Sequence, residues 1–229
     1  MTNHVANPNF SCILDSILGK NIKKVLFIAT HPDDLEFFAG GSAAKYVSAG
    51  KIVKQIILTD GRMGYCSNIS RNQLALRRIK EARKAAKIIG LNGVRFLNSF
   101  FREFEIVDNV SSVNYLADVI SKLNPEVIFC PTYKFPVDFW NKDHKITGRI
   151  VEKVCKKLNL PLFFYGSFRQ TFIEPFSNSF FMDSKRAIKA HESQIQIFGK
   201  IYLILRSILT RYYGKRTKSK YAEPFLRIN

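Results

Sequence analysis

Cysteine is scarce and scattered. Cys12, Cys66, Cys130 and Cys155 stand far apart, and no C-x-x-C pair occurs. That argues against a cysteine zinc site. Cys130 lies in an apolar run, as a buried free thiol would, and this points to a reducing cytosol. Long apolar runs are missing as well: none reaches the ~18 to 20 residues needed to span a bilayer. Residues 1–10 hold no basic region followed by an apolar block, so no signal peptide is expected. Acids are the third shortage, with 18 Asp and Glu against 36 Lys and Arg and a formal net charge of +18. So basic a chain expects an anionic partner, or else carries a lysine-rich surface with no single partner. No nucleic-acid motif accompanies the cations, and nucleic acid is not expected. Also lacking is the glycine-rich G-x-G-x-x-G turn of a dinucleotide-binding protein.

What is present fits one globular domain. The chain has 229 residues, 46% of them hydrophobic. Residues 1–22 read as a lead-in with a short helix near 13–18, and 195–229 as a basic C-terminal segment. Between them strands alternate with helices. Strands are expected at 24–29, 53–59, 94–97, 127–130 and 162–165. Helices are expected at 39–49, 72–89, 113–123 and 144–158. Gly50, Gly90 and Pro125 stand where three of those helices must end. The alternation predicts an α/β fold of Rossmann-like, doubly wound type, with a mainly parallel sheet flanked by helices.

The first strand runs straight into His31-Pro32-Asp33-Asp34-Leu35-Glu36. One imidazole and three carboxylates thus follow the carboxyl end of a buried strand, where open α/β sheets collect ligands. His31 and Asp34 carry the nitrogen and oxygen donors a zinc ion accepts. Pro32 fixes its own φ and stiffens the turn between them. Asp33 points elsewhere and is placed to act as a base. The plainer alternative is a capped loop, with Asp33 or Asp34 capping the next helix. A strand order of 3-2-1-4-5 makes strands one and four neighbours. His144, which follows strand four, then meets His31 in one crevice. Asp143 beside it is either a carboxylate orienting a ligand or an N-cap.

His31-Pro32-Asp33-Asp34-x-Glu36 with Gly40-Gly41 behind it resembles the signature of the LmbE-like (PIG-L) zinc-dependent de-N-acetylases. Thr59-Asp60-Gly61, Arg78-x-x-Glu81-Ala82, Asp143-His144 and Tyr221-Ala222-Glu223-x-Phe225 follow in the family's order. The resemblance implies removal of an N-acetyl group from an amino sugar or sugar conjugate, in glycan or surface-polysaccharide biosynthesis. It implies one divalent metal ion, Zn2+, on His31, Asp34 and His144, with Asp33 as the catalytic base of a metal-assisted amide hydrolysis. Many members carry a histidine three residues before the last ligand; here that position is Asn141. The proton for the leaving amine then falls to Asp33, to a tyrosine or to His191, the last of which reads more simply as structural.

Arg62, Arg78, Asn141 and Asp143 are the expected substrate-binding residues. Arg78 reads equally well as a helix-surface ion pair with Glu81. Tyr133 and Trp140 offer aromatic faces for a sugar ring, or form a small core of their own loop. The expected partner is an N-acetylated sugar, with a phosphate-bearing one suited to the charge. The C-terminal apolar positions Ile197, Ile201, Leu205, Ile208 and Leu209 recur at helical spacing. They predict an amphipathic helix packed on the sheet, followed by a solvated cationic loop at 211–220. The sharper alternative is a surface for anionic substrate or anionic lipid. The chain is therefore expected in the cytoplasm, with peripheral contact at the inner membrane face as the accompanying expectation. The competing function is a non-catalytic or nucleotide-binding Rossmann-like protein with an anionic ligand.

Overall fold

A computed structural model describes residues 12–64 and 68–228, apart from the side chains of 196–200 and 202. Cys66 and residues 1–11 lie outside it, and so does the side chain of Ile197. Along the chain run α1 (Ile13–Leu18), β1 (Lys24–Ala29), α2 (Asp34–Phe38), α3 (Gly40–Ser48), β2 (Ile52–Ile57), α4 (Arg71–Ile89) and β3 (Val94–Phe96). Then come α5 (Val110–Leu123), β4 (Val127–Pro131), α6 (Lys142–Leu158), β5 (Leu162–Tyr165), β6 (Phe172–Phe176), α7 (Asn178–Lys189), α8 (Glu192–Arg216) and β7 (Tyr221–Ile228).

The sheet order is β3-β2-β1-β4-β5-β7-β6. The first five strands are parallel, as the alternation of elements predicts. β7 and β6 extend the sheet antiparallel beyond β5. Parallel strands lie covered on both faces, so they read as continuous apolar runs. β1 obeys this rule. Val25 and Phe27 join Tyr46, Phe129, Phe163 and Phe225 in one layer, while Leu26 and Ile28 join Leu116, Ile128, Ile150 and Phe164 in the other. In the first layer Phe27, Phe129 and Phe163 stack across three adjacent strands at centroid spacings of 4.8 and 5.2 Å.

Helix ends follow local chemistry. Ser70 and Gln73 form a reciprocal capping box at the start of α4, and Gly90 closes it in the left-handed region at φ 90°. Asn109 and Asn141 cap α5 and α6 through their side chains. The helix expected at 39–49 is two: α2 begins directly after the His-Pro-Asp-Asp turn, and Ala39 at φ −142° breaks it from α3. The lead-in helix α1 belongs to the core, with Leu14 fully buried and the Ile13 and Leu14 amides donating to Glu174.

The C-terminal expectation needs correcting. The cations from 211 to 216 lie on a helix, since α8 continues to Arg216, and the turn after it feeds the internal strand β7. The apolar stripe of α8 does not pack on the sheet. Ile201, Leu205, Ile208 and Leu209 face outward, and Arg206 and Thr210 are buried. The Arg206 guanidinium donates to Glu223 Oε1 at 2.6 Å and to the Phe37 carbonyl. Glu223 in turn accepts from the amides of Gly41 and Ser42, at 3.0 and 2.8 Å, at the start of α3. A buried ion pair outweighs the stripe in setting the rotation of this helix, because an unpaired buried guanidinium is far more costly than an exposed isoleucine.

Candidate metal centre

β1 ends at Ala29, and the turn after it closes on its own aspartate. The amides of Thr30 and His31 both donate to Asp34 Oδ2, at 2.8 and 2.9 Å. That anchoring leaves Oδ1 facing His144 Nε2 at 3.1 Å. Asp34 is thus no helix cap, and α2 has no side-chain cap at Asp33 either.

His144 comes from the first turn of α6, across the β1–β4 crevice. Asn141 Oδ1 accepts from its amide at 3.1 Å and fixes that turn. The His144 Nδ1 side contacts Asp138, so Nε2 is the nitrogen turned to the crevice. His31, 113 residues away in sequence, presents Nδ1 to His144 Nε2 at 3.2 Å. Its other nitrogen, Nε2, faces Asp143 Oδ2 and Glu103 Oε1, both at 3.6 Å.

Donor atoms of His31, Asp34 and His144 all lie within 4.8 Å of one another. Two imidazole nitrogens and a carboxylate oxygen are a donor set that zinc accepts. The set also passes an electrostatic test. Burial alone would lower the pKa of His144, but Asp34 and Asp138 outweigh burial and carry it up to about 10. Burial would likewise raise Asp34, yet His144 and His31 hold its carboxylate far below the usual range. Carboxylates on both sides of the ring favour positive charge between them, which a proton on the ring or a divalent ion supplies. Each histidine also has a carboxylate behind its outward nitrogen, the arrangement that fixes the tautomer of a metal-ligating imidazole.

Asp33 sits beside this group, with one carboxylate oxygen held by a buried guanidinium. Its backbone is held at φ 116°, a region few residues other than glycine adopt. Arg78 Nη2 donates to Asp33 Oδ2 at 3.1 Å and to the Pro32 carbonyl at 2.6 Å, and Nη1 donates to the Gly61 carbonyl at 2.9 Å. A side chain on Gly61 would collide with that guanidinium, since a Cβ there would stand 2.4 Å from Nη1. Burial raises the Asp33 carboxyl above its ordinary value, and Arg78 acts against that rise.

Residues 26–155 match the PIG-L family, described as GlcNAc-PI de-N-acetylase. The chain belongs to the PIG-L family. It is 29% identical over 225 residues to the diacetylchitobiose deacetylase of Thermococcus kodakarensis, a match covering 89% of this chain and 82% of that one. The fold is similar to that of N,N'-diacetylchitobiose deacetylase from Pyrococcus horikoshii, with a TM-score of 0.80 at 23% identity, over 94% of this chain and 90% of that one. It is also similar to the 4-carboxy-2-hydroxymuconate hydratase GalB of Pseudomonas putida, at TM-score 0.76 and 17% identity, over 91% and 97% of the two chains. The same scaffold therefore carries different chemistries, and the fold by itself does not choose among them.

Around the PIG-L motif the expected substrate residues fall mostly into other roles. Arg78 is buried and spent on Pro32, Asp33 and Gly61; it is neither free for substrate nor paired with Glu81, which meets Arg77 and Ser193 instead. Asn141 is the cap of α6. Asp143 is buried behind His31 and accepts from the Phe104 amide at 2.8 Å, so of its two readings the orienting carboxylate is the one the geometry favours. Arg62 reaches solvent, but its guanidinium is clamped on Asp60, with Nη2 2.6 Å from Oδ2. His191 is buried with Nε2 3.5 Å from Glu36, in keeping with a structural role. Tyr133 donates to Glu152 and packs on Phe164, while Trp140 stands exposed against Phe139. Sequence reasoning passes over Glu103, and it names Asp138 only as part of the pattern Asp138-x-x-Asn141-x-Asp143-His144, without a role. Glu103, held by the Met63 amide at 2.7 Å, and Asp138 both stand in irregular loops, where no periodicity marks a position.

Proposed function

We propose that this chain is a divalent-metal-dependent hydrolase that removes the N-acetyl group from an amino sugar or sugar conjugate. One observation carries the reading. His31, Asp34 and His144 converge within 4.8 Å, with Asp33 beside them on a buried arginine. His31 Nδ1, Asp34 Oδ1 and His144 Nε2 are the atoms that would hold the metal, and zinc is the ion their chemistry favours. When bound, such an ion lowers the pKa of water and polarises an amide carbonyl.

The chain's own residues supply the proton traffic. Asp33 takes a proton from the attacking water, and its raised pKa brings it toward the range where a carboxylate works as a base. Arg78 keeps that carboxylate in one orientation, so little is lost to reorganisation at the moment of transfer. Asp33 then returns the proton to the leaving amine nitrogen. The carbon–nitrogen bond breaks, and acetate and a free amine are the products. His191, buried with Nε2 3.5 Å from Glu36, is not the donor in this reading. Phe104 and Trp140 are exposed, next to residues that orient His31 and His144, and their faces suit the apolar side of a sugar ring. Arg62 is a weaker hold for a phosphate than its charge alone implies, because Asp60 already neutralises it.

Acetate release from N-acetylglucosamine, diacetylchitobiose and N-acetylglucosaminyl conjugates tests this. The metal-loaded protein should release acetate from at least one of them. A chelator should stop the reaction and added zinc should restore it. Release untouched by complete removal of metal would overturn the reading, as would a metal-loaded protein inert on every N-acetylated sugar.

A further inference from the structure

α8 is built inside out. Ile201, Ile204, Leu205, Ile208, Leu209 and Tyr212 recur at steps of three and four and form one continuous stripe. Each of them is 47–59% exposed, whereas Arg206 and Thr210 point into the protein. At about 100° per residue these two stand roughly opposite the stripe. The orientation is locked. Arg206 Nη2 is 2.6 Å from Glu223 Oε1, and rotating the stripe inward would tear that pair apart. The exposed strip from 201 to 212 is roughly 17 Å long at ~1.5 Å per residue.

We infer that this face of α8 seats the protein on the surface of an anionic lipid bilayer. Charge selects that occupant. No acid occurs between Glu192 and Glu223, and Arg211, Lys215, Arg216, Lys218 and Lys220 are all exposed at the end of the stripe. A second copy docked through the same stripe would press two acid-free cationic segments together, within a complex of two +18 chains. Anionic headgroups meet the cations with opposite charge, and the acyl boundary accepts the isoleucines and leucines. Tyr212 and Tyr213, packed edge to face at 5.1 Å, lie where such a helix places amphipathic rings. No helix among the described residues is long and apolar enough to cross a membrane, so α8 lies on the surface. Its first turn is tied to α4, the helix that carries Arg78: the Ser193 amide donates to Glu81 at 2.9 Å, and Gln194 lies against Gly64. The inference does not depend on the deacetylase reading.

The test is co-sedimentation of the full chain with vesicles of phosphatidylcholine, alone or mixed with phosphatidylglycerol. The protein should bind the mixed vesicles, bind phosphatidylcholine alone weakly, and detach as salt rises. The variants I204S/I208S and K215S/K218S should each lose about 10-fold or more of the affinity, with circular dichroism unchanged. Failure of the wild type to bind mixed vesicles overturns the inference. So does full binding by I204S/I208S, which would make the attraction one of charge alone. A dimer by light scattering that I204S/I208S turns into a monomer would assign the face to a second copy and overturn it as well.

Discussion

Arg78 donates to Asp33 across 3.1 Å from a guanidinium that is itself almost wholly buried. The same side chain holds the turn after β1, through the Pro32 carbonyl, and the turn after β2, through Gly61. Lysine keeps the charge but cannot bridge three acceptors. Arg78→Lys should therefore lower kcat by about 10- to 100-fold, the equivalent of losing one or two hydrogen bonds to a charged group. KM should move little, and the melting temperature should fall by several degrees as buried carbonyls lose their donor. Unchanged kcat would show that Asp33 needs no such support.

Asp33→Asn should keep the metal and cut turnover by ~100-fold or more, since a general base contributes at least that much. Metal analysis beside steady-state kinetics checks both halves. Loss of metal together with activity would move Asp33 into the ligand set.

Asp138 contacts the outward nitrogen of His144. Asp138→Asn should weaken metal binding by about 10- to 100-fold while the fold persists, because an amide no longer favours the required tautomer. Competition with a fluorescent chelator measures this directly. His144→Ala should remove stoichiometric binding altogether.

Glu223 neutralises Arg206 where both are buried. Glu223→Leu leaves that guanidinium uncompensated and strips the amides of Gly41 and Ser42 of their acceptor. Destabilisation of about 3–5 kcal/mol is expected, readable in urea or thermal unfolding. Activity per folded molecule at low temperature should survive, as neither residue approaches the metal centre's donor atoms.

The first two-thirds of the fold was legible because buried parallel strands write themselves as apolar runs with glycine and asparagine stops between them. β6 and β7 hid for a physical reason. Each places a glutamate and a proline inside a strand, Glu174-Pro175 and Glu223-Pro224, which read as interruptions. The glutamates are satisfied by partners far away in sequence: Lys45 and Tyr46 for one, Arg206 for the other. The outward turn of α8 was hidden by the same contact. At the site, His31, Asp34 and His144 were legible from topology, since strand order alone puts two loops in one crevice. The contacts of Arg78 with Pro32, Asp33 and Gly61 were not legible, because a sequence does not say how a long side chain on α4 reaches back under the first turn. Asn141 caps α6, and Asp143 stands behind His31, a contact that the sequence offered only as one of two alternatives.

β5 and β6 do not pair with each other; both bond to β7, which is synthesised more than forty residues after β6. On the ribosome, then, the sheet waits with two open edges until residues 221–228 emerge. An open edge of Phe163 and Phe164 is a template for pairing with another nascent chain. Ribosomes that stall before Tyr221 would release chains prone to aggregate, and those that finish would deliver the closing strand and Glu223 together.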